Sequence, residues 1–299
     1  MRYLKPIIKS MRPHQWVKNF MVFPALLFGG NVFDPLSQIV TFGGFVAFCL
    51  ISGAVYLFND LADVERDRVH PVKRLRPIPA GQLPEDAARQ AVRVIVALAF
   101  ALALGLNIIS RKVGLDFAGI LLAYLVLQIA YSKRLKHVVI LDVMCIALGF
   151  VLRVAAGSAL INVPNSFWMI ACTTLLALFL GFGKRRHELT MLADGGKSHR
   201  KILQEYSTTF LDQMIAMVTA ATVIAYSLYT MSEETIATFA DKAVFLPLTI
   251  PFVLYGIFRY LYLVHQKEIG GSPTRALLSD KPILINITLY FITVVVILH

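Results

Sequence analysis

Long apolar windows separated by short polar connections set the pattern of this chain. They fall at about 16–33, 38–59, 87–109, 114–132, 138–157, 165–183, 210–231, 243–264 and 281–298. Each holds about 18 residues or more with few charges, enough for a helix to cross roughly 30 Å of bilayer hydrocarbon. The pattern predicts an all-α polytopic membrane protein with nine transmembrane helices, residues 1–299 forming a single integral membrane domain. The first window is the most interrupted, by Lys18, Asn19 and Pro24. The longest connections, about 60–86 and 184–209, are both densely charged.

Composition agrees with the windows. Hydrophobic residues make up 57% and charged residues 16% of the chain, against about 45–50% and 25% in soluble domains. Of the 29 Lys and Arg, 22 fall in alternate connections beginning with residues 1–18, and only Arg111, Lys112 and Lys242 fall in the others. By the positive-inside rule the N-terminus and both long loops are cytoplasmic, in an inner (plasma) membrane, and nine spans place the C-terminus outside. The net charge of +11 is thereby confined to one membrane face. It points to anionic lipid or anionic substrates and not to nucleic acid. The start, "MRYLKPIIKSMRPHQW", has no cleavable signal pattern. Cys49, Cys145 and Cys172 all fall inside apolar windows without metal-ligand spacing, as core residues do.

The stretch "NDLADVERDRVHPVKRLRPIPAG", residues 59–81, concentrates both signs of charge at the end of the second window. At about 100° per residue, Asn59, Asp60, Asp63 and Asp67 share one arc of a continuing helix. Carboxylates so placed repel one another, and a divalent cation relieves that. Mg²⁺ in particular takes a few carboxylates together with water and phosphate oxygens. The alternative is a helix end whose acids pair with Arg66, Arg68, Lys73 and Arg74. Prolines then break the helix, and Lys73, Arg74 and Arg76 can fold back toward an anion held by the metal. Metal with guanidinium is a common way to stabilise a departing phosphate.

The N-D-x-x-D-x-x-x-D pattern at the end of the second helix resembles the UbiA-type intramembrane prenyltransferase superfamily, as does "YSKRLK" (Tyr131 to Lys136) after the fourth. In the prenyl-diphosphate-using members of that superfamily the sixth helix ends in a second aspartate-rich motif. Here the corresponding place reads "GFGKRRHELTML", with Lys184, Arg185, Arg186 and His187 beside a single acid, Glu188. With "RPHQWVKN" at 12–19, the set resembles the polyprenyl-phosphate phosphoribosyltransferase branch, over Arg12 to about Tyr206.

The resemblance implies a nine-helix UbiA-like bundle and an Mg²⁺-dependent glycosyltransferase (pentosyltransferase). It would move 5-phosphoribosyl from 5-phosphoribosyl diphosphate to a polyprenyl phosphate of the decaprenyl type, releasing diphosphate with inversion at C1, in cell-wall biosynthesis. It further implies that Asp60, Asp63 and Asp67, assisted by Asn59, hold the metal, and that Lys73, Arg74 and Arg76 neutralise donor phosphate. Lys184, Arg185 and Glu188 complete the opposite wall, with Lys73 and Glu188 counted among the catalytic groups; Glu188 is open to three roles, binding a sugar hydroxyl, binding a water on the metal, or orienting Arg185 three positions before it. Lys18, Lys133 and Lys136 lie near the headgroup level where a lipid phosphate would arrive, and Tyr131 is counted among the substrate-binding residues. Assembly with further copies of the chain stays open.

Two other readings compete. One is an aromatic or quinone-type prenyltransferase of the same superfamily using a polyprenyl diphosphate; the missing second aspartate motif weighs against it. The other is a transporter, whose ionisable groups belong near the bilayer midplane, whereas these lie at span ends. His70, His137 and His187 read as solvated or hydrogen-bonding residues. Arg153, deep in the fifth window, must snorkel outward or pair within the bundle; Asp142, three turns away, is too distant to be its obvious partner.

Overall fold

The computed structural model describes residues 3–110, 113–193, 201–266 and 279–298. Helices carry these residues, with no strand among them. Eight are long and apolar enough to cross a membrane, from Pro35–Ala62 to Lys281–Leu298. Many large side chains on them, among them Leu98, Val126, Ile224 and Phe258, are exposed, as expected of helices solvated by lipid.

The helices are α1 (Leu4–Ser10), α2 (Pro24–Phe28), α3 (Pro35–Ala62), α4 (Val64–Arg68), α5 (Glu85–Ile109), α6 (Asp116–Lys133) and α7 (Leu141–Ile161). After them come α8 (Phe167–Ala193), α9 (Thr208–Thr230), α10 (Glu233–Phe239), α11 (Ile250–Gln266) and α12 (Lys281–Leu298). The first apolar window differs from its expectation of one continuous helix. It forms a 3-10 helix, Pro13–Val22, and then the five-residue α2. Pro24 cannot donate a backbone hydrogen bond into a preceding helix. The 3-10 form compensates in length, since ten residues at about 2.0 Å each extend about 20 Å.

The chain divides into two compact units. The first comprises Met1–Leu26, Asn31–Lys133 and Leu152–Pro164. Within it α3 packs on α5, α6 and the 3-10 helix. Asp34 caps α3 by accepting from the Ser37 N–H at 3.1 Å, and Pro35 occupies the first turn, where no N–H is missed. The 3-10 helix lies close against α7, because a Cβ on Gly157 would strike the carbonyl oxygen of Val22.

Arg153 pairs inside this unit. Its Nε donates to Asn19 Oδ1 and its Nη2 to the Tyr124 hydroxyl, both at 2.8 Å, while the guanidinium sits 4.6 Å from the Tyr124 ring centroid. Asn19 in turn donates to Ser52 Oγ at 3.2 Å. One buried polar network therefore ties the 3-10 helix to α3, α6 and α7.

The second unit comprises Leu27–Gly30, Arg134–Val151 and Asn165–His299. Here α8 packs on α9, and α11 on α12. Its core includes Val143, Phe179, Phe182, Leu211, Ile257 and Tyr260. Helix α8 continues to Ala193, so Lys184 to Glu188, expected at the start of a loop, stand on regular helix. Of that expected loop, residues 194–200 lie outside the described residues.

Candidate active site

In the first unit the charged stretch begins inside α3. The helix ends at Ala62, and Asp63 joins it to α4 with φ −105° and ψ 12°. Two hydrogen bonds, Asp63 N–H to the Asn59 carbonyl (3.0 Å) and Asp67 N–H to that of Asp63 (2.9 Å), carry helical register across the junction. Of the four residues whose spacing predicted one shared arc, Asp60 and Asp67 are brought together on a common cation.

Their carboxylates nonetheless differ. Those of Asp60 and Asp67 are 2% and 3% exposed and meet one cation, since Arg76 Nη1 lies 3.1 Å from Asp60 Oδ1 and 2.6 Å from Asp67 Oδ2. Arg12 Nη2 adds a contact of 2.5 Å to Asp60, and Lys73 Nζ lies 3.7 Å from Asp67. Asp63 is a third exposed, 3.7 Å from Arg66. Asn59 accepts from the Ser132 hydroxyl of α6. The expected alternative partners are only partly those observed: Arg68 pairs with Glu65 and Glu85, and Arg74 is exposed, with no recorded ion pair among the described residues.

The fold-back of the basic segment has a local cause. His70 Nδ1 accepts from the N–H groups of Val72 and Lys73, at 3.1 and 3.3 Å, ordering the turn that carries Lys73. Beyond it, Ile78 and Leu83 are buried with Val64 and Ala88 in a small apolar cluster. Burying a side chain such as Ile78 is worth about 1.5–3 kcal/mol, and that anchor turns Arg76 back onto the acids. Gly81, at φ +72°, makes the left-handed turn between the two anchors.

Whether these residues suit a metal follows from the donor set. Two carboxylate oxygens converge on one positively charged nitrogen, and hard oxygen donors in that arrangement suit Mg²⁺ with water or phosphate completing its shell. Among the described residues no three His, Cys, Asp or Glu side chains gather into a closed metal cage. In the structure the Asp60 and Asp67 carboxylates are paired with Arg12, Arg76 and Lys73, so a cation would share them with those bases.

In the second unit Arg185 is wholly buried, its Nε 2.6 Å from Asp142 Oδ2 and its Nη1 2.5 Å from Glu188 Oε2. The guanidinium expected among the substrate-binding groups is thus paired with two carboxylates. Glu188 is 26% exposed and its other oxygen lies 3.7 Å from Lys184 Nζ. Tyr206 donates to Asp142 Oδ1 at 2.8 Å. Burial, opposed by the hydrogen bond from the Ile140 N–H and aided by the Asp142 carboxylate, pushes the Tyr206 hydroxyl up to about 12, so it stays a donor. Arg186 is used elsewhere, paired with Asp212 at the end of an apolar groove of about 610 Å³ between α9 and α11.

Of the three residues expected at the lipid phosphate, Lys133 is exposed and Lys18 and Lys136 are half-buried, as is the substrate-binding candidate Tyr131. Sequence reasoning missed Arg12, Ser132, Asp142 and Tyr206 as members of these networks. Arg12 lies inside the motif "RPHQWVKN", and Ser132 and Asp142 inside "YSKRLKHVVILDV", residues 131–143, which belongs to the same resemblance, so that signal was present; Tyr206 carried none.

The profile of the UbiA prenyltransferase family matches residues 19–276. The decaprenyl-phosphate phosphoribosyltransferase of Corynebacterium glutamicum is 34% identical over 277 residues, 92% of this chain and 81% of the relative. That of Mycolicibacterium smegmatis is 34% identical over 284 residues, 92% of this chain and 86% of the relative. In fold, the chain is similar to a UbiA homolog from Archaeoglobus fulgidus solved with GPP and Mg²⁺. The TM-score is 0.70 at 19% sequence identity, over 98% of this chain and 99% of that one. The chain belongs to the UbiA prenyltransferase family.

Proposed function

We propose that this chain transfers 5-phosphoribosyl from 5-phosphoribosyl diphosphate to a polyprenyl phosphate, releasing diphosphate. The observation that carries the reading is its likeness, across nearly its whole length, to decaprenyl-phosphate phosphoribosyltransferases. The chemistry of the charged residues supports it, because the substrates bring a diphosphate, a 5-phosphate and a lipid phosphate to a chain rich in arginine and lysine at its span ends.

Asp60, Asp63 and Asp67, with Asn59, would hold Mg²⁺, which when bound neutralises charge on the diphosphate. Lys73, Arg74 and Arg76 bind donor phosphate oxygens, Arg76 being shared between that duty and the two buried acids. Lys184 adds a cation and Glu188 an acceptor for substrate recognition. Lys18, Lys133 and Lys136, with Tyr131, take the lipid phosphate.

The bond from ribose C1 to the diphosphate oxygen breaks as a bond from C1 to the lipid phosphate oxygen forms on the opposite face, which inverts C1. The attacking phosphate is already an anion at neutral pH, so no strong base is needed. Catalysis rests on alignment and on cations facing the departing diphosphate. The charged span ends face the cytoplasm, where a water-soluble sugar diphosphate is met, and the lipid phosphate enters from the bilayer.

The test is a reconstituted assay with radiolabelled phosphoribosyl diphosphate, Mg²⁺ and polyprenyl phosphate, run beside EDTA and Asp63→Asn, a partly exposed position that spares the fold. Label should pass into the organic phase and be lost in both controls. Failure of that transfer, with turnover of a prenyl diphosphate and an aromatic acceptor instead, would move the chain to prenyl transfer.

A further inference from the structure

Among the described residues, Arg185 has the largest of the fully buried side chains. A charged group so placed is retained only with excellent pairing, and its pairing runs in one direction. The network starts at Ile140, a β-branched residue at φ +68°, a conformation that needs outside support. The Ile140 N–H donates to the Tyr206 hydroxyl at 2.7 Å, and Tyr206 donates to Asp142. Asp142, also wholly buried, holds Arg185 by Nε. Arg185 then reaches Glu188, the one partly exposed carboxylate among these residues.

We propose that Asp142 and Tyr206 are positioning residues that act through Arg185 to fix the carboxylate of Glu188. Arg185 belongs to this support and not to the phosphate-binding set. Glu188, an anion with acceptor oxygens only, is the member that meets substrate, and it recognises hydroxyl hydrogens of the sugar, since it would repel a phosphate. The inference rests on the transferase reading. The helical spacing of Arg185 and Glu188 allows either residue to orient the other; the anchor at Asp142 decides that Arg185 orients Glu188.

The experiment uses the full chain and the variant Asp142→Leu/Arg185→Met, because an apolar replacement of a whole buried ion pair is often neutral for stability. Melting and turnover are measured with and without Glu188→Ala. In the wild-type background Glu188→Ala should lower turnover by about 100-fold, and in the paired-variant background by less than about 3-fold, the signature of residues acting as one unit. Tyr206→Phe, which removes a single hydroxyl, should lower turnover about 3- to 10-fold while raising the donor KM. It keeps the test open should the paired variant fail to fold.

A paired variant that melts and turns over like wild type, or a Glu188→Ala effect of equal size in both backgrounds, overturns the inference. So does a Tyr206→Phe variant with wild-type kinetics. A wild-type chain that moves no label overturns the transferase reading, and this inference with it.

Discussion

Arg76→Met removes the one cation that touches both buried acids of the first unit and keeps most of its apolar stem. At an effective dielectric of about 20, opposite charges about 4 Å apart attract by about 4 kcal/mol. Arg76 makes two such contacts. Three facts reduce the net effect. The Arg76 side chain is 31% exposed and screened by water, Arg12 still holds Asp60, and Lys73 remains near Asp67. A net loss of about 2 kcal/mol follows, on the order of 5 °C in the melting temperature of a chain this long. The two acids then lose one of three neighbouring cations and keep one each, and a divalent cation should recover part of the lost stability. At a free Mg²⁺ concentration of ten times Kd, the gain is about 1.4 kcal/mol. The assay is thermal melting in detergent, without donor, with EDTA or with increasing Mg²⁺. Arg76→Met should melt lower than wild type in EDTA and show the larger Mg²⁺-dependent rise. Equal rises in the two proteins, or no difference in EDTA, would refute the idea that Arg76 and a metal share the same carboxylates.

Other substitutions test the packing and the caps. Gly157→Ala should cost about 1–3 kcal/mol, because its Cβ meets the Val22 carbonyl. Gly105→Ala on α5, with nothing within 4 Å of the added carbon, should be neutral or stabilising by up to about 1 kcal/mol; melting temperatures of the pair check this. Arg153→Met strands Asn19 Oδ1 and the Tyr124 hydroxyl and should lower stability by about 2–4 kcal/mol, read as detergent-denaturation midpoints. Asp280 caps α12 by accepting from the Ile283 N–H at 3.0 Å. The hydrogen bond from Arg259 holds its carboxyl below the ordinary 3.8. A depressed acid contributes its stability above that ordinary value and loses it as pH falls through the folded one. Asp280→Ala should therefore melt lower than wild type at neutral pH, by about 1 kcal/mol, and the gap should close in acid.

The membrane-spanning helices were legible because hydrocarbon imposes a length and an apolarity that a sequence must show directly. Window 16–33 is the instructive departure. Its apolar content is that of a span, but Pro24 ends the helix, and Asn19 is satisfied by Cys49, Ser52 and Arg153, residues thirty or more positions away in sequence. A polar residue in an apolar window reads as an interruption until its partner is known. Arg153 posed the same difficulty from the other side.

The charged networks were legible in membership and not in pairing, and the reason is topological. Helical spacing predicts one shared arc for Asn59, Asp60, Asp63 and Asp67, a local property. Which cation each acid meets depends on where the chain returns. Arg76 returns because Ile78 and Leu83 find a small apolar cluster, and Arg12 arrives from the opposite end of the unit. Asp142 shows the limit most clearly. By spacing along its own helix it was too distant to be the obvious partner of Arg153, and no local pattern could reveal that it faces Arg185 on α8. Once that pairing is known, a stretch that reads in sequence as an exposed row of bases becomes two kinds of residue. Arg185 and Arg186 are held by acids within their own unit, and Lys184 and Glu188 keep partly exposed ends. Counting charges in a motif therefore overstates the charge available to a substrate, and the buried acids elsewhere in the chain determine by how much.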